Sequence, residues 1–188
     1  MKMAKRILSL VLVLAMVACL GVTAFADTAS TGTATINVVA NGRTKTIQGT
    51  AGNKLSDVLD ANIKTLGKIK WKTVTDWQDA SVTHKALVGI GNNVSKAGTT
   101  ADLHNAGKFL NVKETAAVAN HPGYYLVEQN GNSYHYVYVG YDWTYTSTTV
   151  GGGDLYTYMC CYTLTAGETV TITYSLQITD WTQTGAIQ

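Results

Sequence analysis

The chain has 188 residues, with 14 Lys and Arg against 12 Asp and Glu; 46% of its residues are hydrophobic and only 14% are charged. That length suits one domain, or two very small ones. The apolar fraction excludes a disordered chain, which needs low hydrophobicity and high net charge, and a formal charge of +2 gives no electrostatic footprint for nucleic acid.

Residues 1–26 read as a secretory signal peptide. Lys2, Lys5 and Arg6 precede an apolar run from Ile7 to Leu20, and Ala24-Phe25-Ala26 is an A-x-A site followed by Asp27. A membrane anchor needs about 20 apolar residues, so the run competes as a span; lipid attachment at Cys19 is a third reading. The small-residue site and the polar sequence after it favour cleavage after Ala26. The chain is then expected outside the cell, touching the membrane only through this segment before cleavage. Residues 27–188 are expected to form a single domain. Its eleven Lys and Arg all lie between Arg43 and Lys113, and all eleven Tyr follow Gly123. No Pro/Ser-rich linker separates these halves, so a basic, helix-containing half is expected to sit against an aromatic sheet half.

Thr33–Ala40 alternates apolar and polar residues, Asn41-Gly42 is a strong two-residue hairpin signal, and Arg43–Gln48 is the return strand. Asn53 can cap a helix. Leu55, Val58, Leu59, Ile63 and Leu66 then recur on one helical face, with Gly67 as terminator. Ile69–Lys72 alternates again. The stretch from Asp76 to Asn120 is the least regular, with a short strand expected at Ala86–Ile90 and a helix near Glu114–Ala119. Tyr124–Gln129 and Ser133–Val139 flank Asn130-Gly131-Asn132 as a second hairpin. Leu155–Leu164 reads as a strand. Thr169–Ile178 places Val170, Ile172, Tyr174, Leu176 and Ile178 on one face and Thr, Ser and Gln on the other, as in antiparallel pairing with one solvated face.

Cys160 and Cys161 are adjacent. Within a strand they point to opposite faces and are poorly placed to bond each other. No His or third Cys neighbours them in sequence and the four His share no ligand spacing, so no metal site is expected; a Cys–His pair could meet only in the fold.

A leading hairpin, one amphipathic helix and further strands follow β-grasp order. Ser56-Asp57-Val58-Leu59-Asp60-Ala61 looks like the helix start of a small β-grasp domain of secreted bacterial proteins, similar to the C-terminal β-domain of transcobalamin and intrinsic factor. Leu164-Thr165-Ala166-Gly167-Glu168-Thr169-Val170, continuing to Tyr174, looks like that family's closing hairpin. Trp143-Thr144-Tyr145 and Val150-Gly151 sit near its Trp-containing strand and Val-Gly turn. The resemblance covers about half of residues 27–188. It implies an α+β, β-grasp-like fold with an antiparallel-rich sheet, one main amphipathic helix and an insertion around 77–122; a mostly-β sandwich is the alternative. It also implies a secreted binding or surface role, but not cobalamin binding.

HExxH, CxxC and GxSxG motifs are absent from the sequence, Gly151-Gly152-Gly153 reads as a turn, and neither an enzyme nor a cofactor is expected. The feature above background is a tyrosine ladder. Tyr134, Tyr136 and Tyr138 share one strand face and Tyr156 and Tyr158 another. With Trp143 they form the expected ligand-binding surface for an extracellular small molecule, glycan or protein. The competing reading packs the Tyr beneath the 77–122 segment. A structural protein pairing through edge strands and, third, a hydrolase complete the alternatives.

Overall fold

The expected leading hairpin joins β1 (Thr33–Ala40) to β2 (Arg43–Thr50), with Asn41 at φ 50° and Gly42 at φ 71° in the turn. The computed structural model describes residues 32–76, 79–150 and 158–187. The segment expected to be a signal peptide, with Cys19, and also Trp77, the turn expected at Gly151–Gly153 and Tyr156 lie outside the described residues.

The helix expected to run to Leu66 is two pieces, α1 (Leu55–Ala61) and α2 (Ile63–Leu66). Asn53 does not cap it; Lys54 occupies the cap position without a side-chain hydrogen bond. The break falls at Asn62, whose side-chain amide donates to the Val58 carbonyl (2.8 Å) and competes with the helical ladder. Leu55, Val58, Leu59 and Leu66 are buried as their spacing predicts, but Ile63 beyond the break is 52% exposed. Gly67, at φ 94°, ends the segment.

The irregular middle stretch supplies more than was legible. β3 (Ile69–Thr75), β4 (Thr83–Ile90) and β5 (Asn93–Val94) make a three-stranded antiparallel sheet. β6 (Lys96–Ala97) and α3 (Thr100–Asn105) follow, the latter with a capping box between Thr99 and Asp102. The helix expected near 114–119 is only a 3-10 turn at Glu114–Ala116.

β7 (Tyr124–Asn130) and β8 (Ser133–Ser147) form the second expected hairpin, but β8 continues without a break through Trp143-Thr144-Tyr145. β9 (Thr169–Thr184) contains the alternating segment and extends it. Residues 158–164 are not a strand: they form turns with one isolated bridge, Thr163 to Lys54. The expected closing hairpin is therefore replaced by two longer-range pairings. β9 runs antiparallel to β8, from Ser133 opposite Thr184 to Ser147 opposite Val170, and parallel to β1. The larger sheet has the order β2-β1-β9-β8-β6, with β7 also paired to β8.

This uninterrupted register assigns the faces. Ala34, Ile36 and Val38, Val170 and Ile172, and Val137, Val139, Trp143 and Tyr145 all point inward. Two buried clusters cover that face. One brings α1, Leu66, Leu87, Ile90, Met159 and Leu164 onto β1, β9 and the Trp143 end of β8. The other brings Leu103 and Val112 onto Tyr125, Val137 and Val139. Burying each such aliphatic side chain contributes about 1.5–3 kcal/mol. The molecule is strand-rich, with antiparallel sheets and few helices; among the described residues no helix is long and apolar enough to cross a membrane.

Candidate functional site: an aromatic row on the outer sheet face

Alternation puts Tyr134, Tyr136 and Tyr138 on the opposite face from Val137 and Val139; Leu103 and Val112 of the 77–122 segment pack on the Val side, while its His121 lies edge-on to Tyr124 at 5.8 Å. The three Tyr are joined by two aromatics that the sequence reading left out. Tyr124 lies opposite Tyr138, and Trp181 lies opposite Tyr136. The rings form one row. Centroids are 5.0 Å apart for Tyr138–Tyr124, 5.7 Å for Tyr124–Trp181, 5.9 Å for Trp181–Tyr136 and 6.0 Å for Tyr136–Tyr134. Tyr136, between Trp181 and Tyr134, is 3% exposed, and its hydroxyl accepts the Ile187 N–H (3.1 Å). Tyr124, Tyr134, Tyr138 and Trp181 stay half-buried.

Tyr138 lies along the strand rather than standing from it. A Cβ built on Gly140 would sit 2.1 Å from the Tyr138 hydroxyl and 2.6 Å from its ring carbon, so the phenol occupies the space a side chain would take. Its hydroxyl donates weakly to Asp142 (3.5 Å). Burial, and then the Asp142 charge, push that phenol above its ordinary range, so it is a neutral donor at physiological pH.

Apart from Val39 on β1 and Asp142 on β8, the rest of the outer face is hydroxyl and amide. Thr35 pairs with Gln48, Thr46 with Asn37, and Gln177 with Ser175. Thr169, Thr171 and Thr173 continue it along β9, half-exposed. Asp142 is the charged side chain that its alternation places on this face of β8.

Two expected site residues lie elsewhere. Trp143 faces inward, 9% exposed, packed on Tyr174 at 5.0 Å; its offset along the strand from Tyr134, Tyr136 and Tyr138 is odd, which sets it on the other face. Its indole N–H has no partner among the described residues. Tyr158 sits in the 158–164 turns, stacked on His84 at 4.4 Å. Tyr156 is outside the described residues. Trp181 and Tyr124 could have been found by extending the alternation of β9 past Ile178 and pairing the second hairpin in register.

A second concavity of about 520 Å³ lies on the other side of the sheet, between Asn41, Asn92, Asn93, Lys96, Tyr141 and Tyr174. Its phenols are engaged: Tyr174 donates to the Val94 carbonyl (2.8 Å) and Tyr141 to Asp102 (2.9 Å). Compared with known proteins, the chain matches no protein-family model and no curated protein.

Proposed function

We propose that this chain is a secreted, non-catalytic binding module that holds a neutral extracellular glycan on the outer face of its larger sheet. The carrying observation is the row of five aromatic rings beside a face of Thr, Ser, Gln and Asn side chains with almost no charge. Apolar sugar faces pack on aromatic rings, and sugar hydroxyls exchange hydrogen bonds with hydroxyl and amide groups. Such a face offers little to an anionic or cationic partner. Export after Ala26 and a β-grasp-like fold belong to the same reading; the leading hairpin, the helix after it and a last strand parallel to the first support that fold. The edge strands count against the structural alternative: β2 carries Arg43 and Lys45 and β3 carries Lys70 and Lys72, and cations on edges oppose pairing with a further strand.

Titration against a panel of soluble neutral polysaccharides tests the proposal. Tyr138→Ala and Trp181→Ala are each expected to weaken the retained glycan at least about tenfold, the scale of a dominant aromatic anchor. Lys96→Ala, in the other concavity, is expected to leave it unchanged. Unaltered affinity in both aromatic variants sinks the proposed surface.

Gly140→Ala is a finer probe. The added methyl meets chiefly the far end of the Tyr138 side chain, so the fold is expected to survive with a loss of about 1 kcal/mol, like other modest substitutions. The phenol must lift from the strand, and glycan affinity is expected to fall with it. Affinity equal to that of the parent chain would show that the reclining ring is not a contact.

A further inference from the structure

A strand would set Cys160 and Cys161 on opposite faces, with no histidine beside them in sequence. In the fold they occupy a turn, and β4 carries His84 to them across 76 residues of sequence. The two sulfurs are 3.8 Å apart. His84 Nδ1 lies 3.3 Å from Cys161 Sγ and 4.0 Å from Cys160 Sγ. These three atoms lie within 4.8 Å of one another.

These are the edges of a coordination tetrahedron. With Zn–S about 2.3 Å and Zn–N about 2.0 Å, tetrahedral angles put two sulfurs about 3.8 Å apart and a sulfur and nitrogen about 3.5 Å apart. The surroundings match as well. His84 Nε2 is 2.8 Å from Asp76 Oδ2, the carboxylate–imidazole pairing that directs the other ring nitrogen, Nδ1, to a metal. The Lys85 backbone N–H donates to Cys160 Sγ (3.4 Å), and the Lys54 ammonium donates to the Cys161 carbonyl (3.0 Å). The Tyr158 ring stacks on the imidazole and limits its rotation. Cys161 is exposed, which leaves room for a fourth ligand from solvent.

We propose that His84, Cys160 and Cys161 form a binding site for one zinc ion, with Asp76 as the positioning residue behind His84. Two thiolates and an imidazole are a borderline-soft donor set suited to zinc. A bound dication stabilises the thiolate form of both cysteines. The site is separate from the glycan-binding reading and stands without it.

The full chain, reduced and stripped of metal, is titrated with Co²⁺ and then with Zn²⁺. One equivalent of Co²⁺ is expected to give a sulfur-to-cobalt charge-transfer band and the intense visible bands of a tetrahedral thiolate site. One equivalent of Zn²⁺ is expected to abolish both and to raise the melting temperature. Cys160→Ser and Cys161→Ser are each expected to remove the charge-transfer band or reduce it by about half while leaving the far-ultraviolet circular dichroism intact. Asp76→Asn is expected to weaken Zn²⁺ about 10–100-fold with the same bands still formed at saturation. Any of three results overturns the proposal: no stoichiometric binding by the reduced chain, undiminished binding in the Cys160→Ser/Cys161→Ser double variant, or formation of a Cys160–Cys161 disulfide in air at an unchanged rate when Zn²⁺ is present.

Discussion

Glu168→Ala is expected to lower the free energy of unfolding by about 3 kcal/mol, because it strands the buried Ser147 hydroxyl and the half-buried Tyr162 hydroxyl at once and empties a buried site. Glu168 is 2% exposed. Its carboxylate accepts hydrogen bonds from Ser147 (2.5 Å), Tyr162 (2.5 Å), Thr149 (3.1 Å) and the Thr165 N–H (2.5 Å). One side chain thus ties the end of β8, the turns after Tyr158 and the start of β9. Burial alone would push the carboxyl up, but the hydrogen bonds from Ser147, Tyr162, Thr165 and Thr149 outweigh it and hold it below its ordinary value of 4.5. A carboxylate depressed in the folded state binds fewer protons there than in the unfolded chain. Its stabilisation is complete above the unfolded value and is lost as pH falls through the folded one. Urea denaturation from neutral pH down past pH 4.5 should therefore show a decline that Glu168→Gln, already less stable at neutrality, follows less steeply. Parallel declines in the two proteins would mean that other carboxylates govern acid stability.

Gly123→Ala is expected to cost about 3 kcal/mol, and Gly42→Ala only about 1 kcal/mol, although both glycines have positive φ. Gly123 is at φ 84° and Gly42 at φ 71°. At Gly42 an added Cβ meets nothing within 4 Å, so only backbone strain is felt. At Gly123 it falls 2.6 Å from the Val139 carbonyl oxygen. That oxygen already accepts the Gly98 N–H at 2.9 Å, and the Val139 N–H donates to the Gly123 carbonyl at 2.8 Å, so neither strand can retreat cheaply. Because Gly123 leads into Tyr124, the same substitution should also disturb the aromatic row. Thermal unfolding of the two variants side by side tests the contrast, and equal losses would show that the contact with Val139 relaxes.

Local pattern was enough for β1, β2, the buried face of α1, β4, β7 and the alternation of β9, since period-2 and period-3.6 spacing are properties of short segments. It failed where tertiary partners decide. Leu155–Leu164 is rich in β-forming residues, yet residues 158–164 turn back so that Met159 and Leu164 fill the core over α1, and propensity yields to burial. Of the aromatic row, Tyr134, Tyr136 and Tyr138 were legible because they alternate within one strand. Tyr124 and Trp181 became visible only through cross-strand register, which depends on the pairing of β7 and β9 with β8. Trp143 was misassigned to the surface although its position on β8 already placed it with Val137 and Val139. His84 and Cys161 illustrate the hardest case, a cluster whose members share no local spacing at all.

The strand shared by both halves of the larger sheet, β9, follows all of its partners in sequence. Ile36 and Val38 therefore have no neighbour on that side until Val170 and Ile172 have been made, on the order of ten seconds of ribosomal synthesis after them. The early hairpin must wait as an open ribbon, and folding from such distant contacts is slow. A polypeptide arranged in this order cannot close its larger sheet until translation is nearly finished, and its rigidity comes last.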